Sequence, residues 1–200
     1  MTDPAQNDIV EHIPLKYLPL RKVVHIGGVV VPIIAVTCGK FYAISLISYF
    51  MLMFLFMELL KTKIRIPAAL HPLWKDNEYK GFAIDPFLYF ALILLLLLLS
   101  FYFDEGICYA SIVVLTIGDG VSTVVGVHGK RYFRDSTKTI EGAAAGTIVA
   151  AVIAFPFVGA LAFVGSAAGM SAEVTSKRFD NVTVPVAAFV SMLVARAVIG

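Results

Sequence analysis

Between Pro86 and Phe103 the chain carries no formal charge, and the leucines Leu94–Leu99 run unbroken through its middle. No other feature constrains the fold as strongly. At about 1.5 Å of rise per residue, about 20 apolar residues cross a hydrocarbon core ~30 Å thick. Comparable stretches recur at 23–38, 41–60, 107–127, 142–173 and 184–199. Hydrophobic residues make up 59% of the 200, and the mean hydropathy is +0.86. That balance belongs to multi-span membrane proteins, not to soluble domains. A lipid environment offers no water to backbone N–H and C=O groups, so each span must close its own hydrogen bonds as a helix. The expected fold is therefore all-α and polytopic. A single transmembrane domain would cover 23–200, after an interfacial N-terminal segment, 1–22, interrupted by Pro4, Pro14 and Pro19.

The stretch 142–173 is too long for one span and short for two. Pro156 lies midway, which predicts two short or tilted helices, 141–155 and 157–173. Gly142-x-x-x-Gly146 and Gly165-x-x-x-Gly169 suit close helix contact. Gly39-Lys40 and Asp104-Glu105-Gly106 read as turns, and the leucine-rich span is expected to face lipid. This division gives about seven spans. Of the 16 Lys and Arg residues, all but Lys40 and Arg196 then fall on the side of the N-terminus. The positive-inside rule makes that side cytoplasmic. Merging 142–173 into one span would send Lys177 and Arg178 outward. The net charge of +2 carries no nucleic-acid signal, and no removable signal peptide is expected at the N-terminus. Cys38 and Cys108 lack metal-ligand spacing and read as small apolar residues.

The polar residues concentrate on the same side. Ile117–Gly142 holds an acid between glycines inside an apolar segment, Gly118-Asp119-Gly120. It continues through Gly126 and Gly129 into a basic loop with Lys130, Arg131, Arg134 and Lys138, and re-enters the apolar phase at Thr139-Ile140-Glu141-Gly142. Glu58, Glu173, Asp180, His25 and Asn181 also fall at or near cytoplasmic helix ends. Ionisable groups inside a membrane are expensive and usually face a cavity or a partner. Several acids and cations at one depth predict a shared site opening to the cytoplasm. Carboxylates and amide oxygens suit Mg²⁺, lysines and arginines suit phosphate, and the helix start after Thr139 offers N–H groups to an anion. The glycines at 118, 120, 126 and 129 could form a phosphate-cradling turn. Neither a Walker nor a Rossmann glycine pattern is present.

The order of these motifs resembles the CTP-dependent polyprenol kinases, the membrane family of dolichol kinase, phytol kinase and the CTP-dependent diacylglycerol kinase. The matching residues are Arg21-Lys22-Val23-Val24-His25, Glu58, Gly118-Asp119, Gly126, Gly129-Lys130, Lys138-Thr139-Ile140-Glu141-Gly142, Glu173, Asp180-Asn181 and Pro185. Each motif is weak alone; their order and spacing carry the likeness, over most of the chain after residue 20. The resemblance implies transfer of the γ-phosphate of CTP to a lipid alcohol arriving from the bilayer, with Mg²⁺ or another divalent cation. It implies that Asp119, with Glu173, Asp180 and Asn181, holds the metal. Lys130, Lys138 and Thr139, with Arg21, Lys22, Lys177, Arg178 and the four glycines, would bind nucleotide phosphates. Asp119 or Glu141 would orient or deprotonate the alcohol, and His25 and Glu58 are further candidates.

Two other classes fit parts of the pattern. A cytidylyltransferase forming a CDP-lipid is related, but its Pro-Gly-His-Gly run is missing and Lys177-Arg178 is followed too soon by Asp180. A small transporter would place polar groups near the midplane with access from both sides.

Overall fold

The computed structural model describes residues 18–61, 63, 81–134, 136–176 and 179–199. The interfacial segment expected before residue 18 lies outside them, as do Lys177, Arg178 and the side chain of Arg21. Among the described residues every regular element is a helix: α1 Leu18–Gly27, α2 Val30–Thr37, α3 Lys40–Leu60, α4 Ile84–Leu99, α5 Glu105–Val113, α6 Asp119–Gly126, α7 Ile140–Val158, α8 Leu161–Thr175 and α9 Asp180–Ile199. A π-helical turn, Val114–Gly118, joins α5 to α6 into one continuous segment. Four segments are long and apolar enough to cross a membrane: Lys40–Leu60, Glu105–Gly126, Ile140–Val158 and Asp180–Ile199.

The α5–α6 segment is the centre of the bundle. Of its apolar window 83% is buried, against 17%, 28% and 22% in the other three. One side packs Ile107, Val114 and Ile117 against Ala150 and Ala154 of α7, Ala162 of α8, and Val184 and Ala188 of α9. The other side packs Tyr109, Ile112 and Leu115 against Val31 of α2, Ile47 of α3, and Tyr89, Ile93 and Leu97 of α4. Small residues let α7 approach closely, since apolar burial gives helices little reason to associate within lipid. A Cβ at Gly142 would meet the carbonyl of Ser122, and one at Gly146 the carbonyl of Gly118. Gly165 lies likewise against Met192, and Gly169 against Val114. Both expected glycine repeats are thus contact faces.

The structure differs from the sequence expectations in three places. The first span is not one straight helix beginning near Val23. It starts by Leu18, crossing the expected boundary at residue 22, and breaks between α1 and α2 in short turns closed by Gly28 N–H to the His25 carbonyl and Val29 N–H to the Ile26 carbonyl, each 3.1 Å. The second break falls at Gly159, not at Pro156. Gly159 has φ 59°, left-handed backbone that suits glycine, and its N–H donates to the Phe155 carbonyl at 2.8 Å. Pro156 stays inside the last turn of α7. Third, α4 does not simply face lipid: Tyr89, Ile93, Leu96 and Leu97 are buried against the core. The turn at Gly39 is as expected, with φ 106°. Cys38 and Cys108 are both free.

Candidate functional site

Five chain segments, α1, α6, the loop before α7, α8 and α9, bring two lysines and three carboxylates together near one end of the bundle. Asp119 opens α6 directly after the π turn and is 5% exposed. Its Oδ2 lies 3.0 Å from Lys22 Nζ and 3.0 Å from His25 Nε2, both on α1. His25 Nε2 is also 3.1 Å from the carbonyl of Leu115, inside the π turn. Both neighbours accept, so Nε2 carries the proton. Such turns cluster at functional sites because they break the helical ladder locally.

The second cation is Lys138. Its Nζ lies 2.6 Å from Oε1 of Glu173, 3.1 Å from Oδ2 of Asp180 and 4.0 Å from Oδ1 of Asp119. Three carboxylates from α6, α8 and α9 therefore converge on one ammonium. Burial alone would lower the pKa of Lys138, but Glu173, Asp119 and Asp180 outweigh it and raise the pKa above the ordinary lysine value. Lys138 is a cation at neutral pH.

The loop that delivers Lys138 is locally built. Tyr132 and Thr139 form an antiparallel bridge, Phe133 N–H donates to the Lys138 carbonyl at 3.0 Å, and Ile140 N–H to the Arg131 carbonyl at 2.8 Å. Thr139, 3% exposed, caps α7: its Oγ1 accepts from Gly142 N–H at 3.2 Å and donates to the Gly126 carbonyl at 3.4 Å. Glu141 accepts from the backbone N–H groups of Lys130 and Arg131 at 3.3 and 3.2 Å.

The expected residues thus divide. Lys22, His25, Asp119, Lys138, Glu173 and Asp180 are brought together. None of the hydrogen bonds described for Glu141 reaches that group; it holds the basic loop instead. Lys130, Arg131 and Arg134 are exposed. The four glycines serve mainly as contact faces: Gly118 lies against Met170, Gly120 against Ile26, and Gly126 and Gly129 against Thr139. One helix-start N–H expected to be open to an anion, that of Gly142, is taken by Thr139. Asn181 donates to the Asp85 carbonyl at 2.9 Å, tying α9 to the start of α4. Glu58 accepts from Lys61 Nζ and from Ala83 N–H, binding the end of α3 to the approach to α4.

Two participants escaped the sequence reading. Ser122, three residues beyond Asp119 on the same helix face, donates to Glu173 Oε1 at 2.7 Å and lies 3.0 Å from the Asp119 carbonyl. That spacing was the available signal. Tyr89 donates to the His25 carbonyl at 2.7 Å, and its ring lies 4.3 Å from the imidazole. A phenol in a leucine-rich span was the only hint.

The donor set suits a hard divalent cation: three carboxylates converge, and Asp180 Oδ1 is buried with no hydrogen-bond partner. Among the described residues no group of three or more His, Cys, Asp or Glu is placed to hold a metal ion, and it is the Lys138 ammonium that the three carboxylates face. No family model, no curated protein and no solved structure matches this chain.

Proposed function

We propose that this chain is a membrane lipid kinase of the CTP-dependent polyprenol type, moving the γ-phosphate of CTP to a lipid alcohol with Mg²⁺ or a similar cation. One observation carries the reading: Asp119, Lys138, Glu173 and Asp180, distant in sequence and all at positions of the motif order, converge at one end of an apolar bundle. Buried charge of this density in a membrane protein is costly without a function to retain it. In the reaction the alcohol oxygen bonds to the γ-phosphorus, the bond to the β–γ bridging oxygen breaks, CDP leaves, and the alcohol proton passes to a carboxylate. Asp119, Glu173 and Asp180 would hold the cation, which supplies charge neutralisation at the phosphates. Lys138, released from the carboxylates, would pair with nucleotide phosphate, and Lys22 would hold the Asp119 carboxylate in place. The exposed Lys130, Arg131 and Arg134 would draw the nucleotide in from the cytoplasm.

The deciding assay uses purified full-length protein, labelled CTP and a panel of lipid alcohols. CDP plus a lipid monophosphate supports the kinase. Pyrophosphate plus a CDP-lipid from a phosphatidate makes it a cytidylyltransferase, and solute flux without nucleotide turnover makes it a transporter.

The reading includes seven spans with the N-terminus inside. Besides the four long segments, the apolar stretches Lys22–Thr37 and Ile84–Leu99, with α8, would supply the other three. In a Cys38→Ala, Cys108→Ala background, Ser176→Cys should label only from the cytoplasmic face and Glu105→Cys only from the outer one. Outer labelling at 176 would overturn this topology.

A further inference from the structure

A groove of about 400 Å³ runs between α7 and α8, within the range of about 300–1,000 Å³ usual for small-molecule sites. Three of its lining residues carry hydroxyls, yet each turns inward on its own helix. Thr147 donates to the Ala143 carbonyl at 2.8 Å, Ser171 to Ala167 at 2.7 Å, and Thr175 to Ser171 and Ala172 at 3.2 and 3.1 Å. The hydroxyl protons are therefore spent on the helices, and the groove offers its occupant chiefly carbon. That suits a hydrocarbon chain and gives water or a sugar little to bond.

The groove also leads somewhere. Phe133, from the loop that carries Lys138, lines it. Ser136 of the same loop reaches the carbonyl of Val174, another lining residue, at 3.5 Å. Val174 follows Glu173, the partner of Lys138. Met170, also lining it, packs against Gly118 and Gly146, so only that side chain's thickness separates the groove from the backbone before Asp119. The neighbouring groove between α8 and α9 has no residue of this loop in its lining.

We propose that the α7–α8 groove seats the hydrocarbon chain of the acceptor alcohol, with its hydroxyl end at the Lys138–Glu173 pair. This rests on the lipid-kinase reading and adds the path by which the lipid enters. The chain lies along Thr147 and Ser171 and continues into the bilayer, while nucleotide comes from the opposite, aqueous side of the loop.

The test uses the full chain in phosphatidylcholine nanodiscs and a geranylgeraniol-type prenyl alcohol bearing a mid-chain diazirine. Irradiation followed by peptide mapping should place adducts on 143–147 and 170–175, displaced by unlabelled prenyl alcohol. Ala144 is exposed in the groove, so Ala144→Trp fills it without entering the core. This variant should lose about tenfold in labelling and raise the KM for the alcohol by about tenfold, with the KM for CTP little changed. Thr147→Trp gives a second plug if Ala144→Trp inserts poorly. Adducts at Ala187 and Val190 would overturn the proposal. So would groove adducts that unlabelled alcohol fails to displace, since the occupant would then be bulk phospholipid. Labelling needs no turnover, which separates the two readings. Displaceable groove adducts without any phosphorylation would keep the groove and remove the kinase; phosphorylation with adducts elsewhere would keep the kinase and remove the groove.

Discussion

The two ends of the bundle use the same ion-pair chemistry in opposite settings. At one end Lys40 meets Glu105 at 2.7 Å and Arg196 meets Asp104 at 3.2 Å, with the Glu105 and Arg196 side chains 59% and 58% exposed. Lys40 also donates to the Ser100 carbonyl and lies 5.0 Å from the centre of the Phe101 ring. These contacts strap the starts of α3 and α5 to the ends of α4 and α9. At the other end Lys22 and Lys138 meet Asp119 and Glu173, whose side chains are only 7% and 1% exposed. Water screens the first set, so each pair contributes about 0–1 kcal/mol. In the second set the Asp119 and Glu173 carboxylates have given up nearly all their water, and losing a cation partner strands them. The first end reads as bracing. The second keeps charge where bracing alone would not require it.

Substitutions should separate the two ends, and the largest effect should come at Asp119. Asp119→Asn keeps the volume and removes the charge that faces Lys22 and His25. Turnover should fall by about 10²-fold or more while the protein still inserts, as judged by CTP assay and size-exclusion profile. Near-normal turnover would strip the buried end of its catalytic meaning. Glu173→Ala should cost about 3 kcal/mol in detergent unfolding, because it leaves Lys138 and the Ser122 hydroxyl without their shortest partner. Lys138→Met should raise the KM for CTP by about tenfold and leave that for the lipid alcohol within about twofold. A shift confined to the lipid would make Lys138 a lipid contact instead.

The pH dependence of stability is informative too. With its folded pKa raised above the unfolded 10.5, Lys138 contributes stability that is complete below 10.5 and lost only as pH climbs through the folded value. Ionisation of Lys138 itself should therefore add no slope to the wild-type stability across the neutral range, as read from unfolding at a series of pH values. The smallest effect should be Arg196→Ala, less than about 1 kcal/mol with unchanged turnover. A cost as large as that of Glu173→Ala would erase the distinction between the ends.

The asymmetry was partly legible in the sequence because charges are rare in apolar runs. Asp119 could be named from its isolation in an apolar run, Lys138, Glu173 and Asp180 from their common place at helix ends and in the motif order, and the span positions from the runs themselves. What was hidden depended on contacts between segments. Nothing local says that Gly28 rather than Pro32 ends a helix turn; in the fold, a Cβ there would strike the Tyr89 hydroxyl. Pro156 looked like the break, yet α7 runs on through it to Val158, and the left-handed backbone that turns the chain belongs to Gly159. Glu141 and Asn181 looked like site residues because an acid or amide at a helix start reads the same whether it faces a ligand or a neighbouring loop. Only the fold shows Glu141 on the amides of Lys130 and Arg131, and Asn181 on Asp85.

The π turn at Val114–Gly118 has a geometric consequence of its own. A wide turn of this kind accommodates one residue more than a regular helix, and one residue is worth about 100° of rotation. The central segment is thus out of phase with itself. Its first half keeps the register that the hydrocarbon neighbours demand, while its second half is rotated so that Asp119 meets Lys22 and His25. A chain shorter by one residue here could satisfy one half or the other, not both. The length of this segment, as much as its composition, fixes where the carboxylate points.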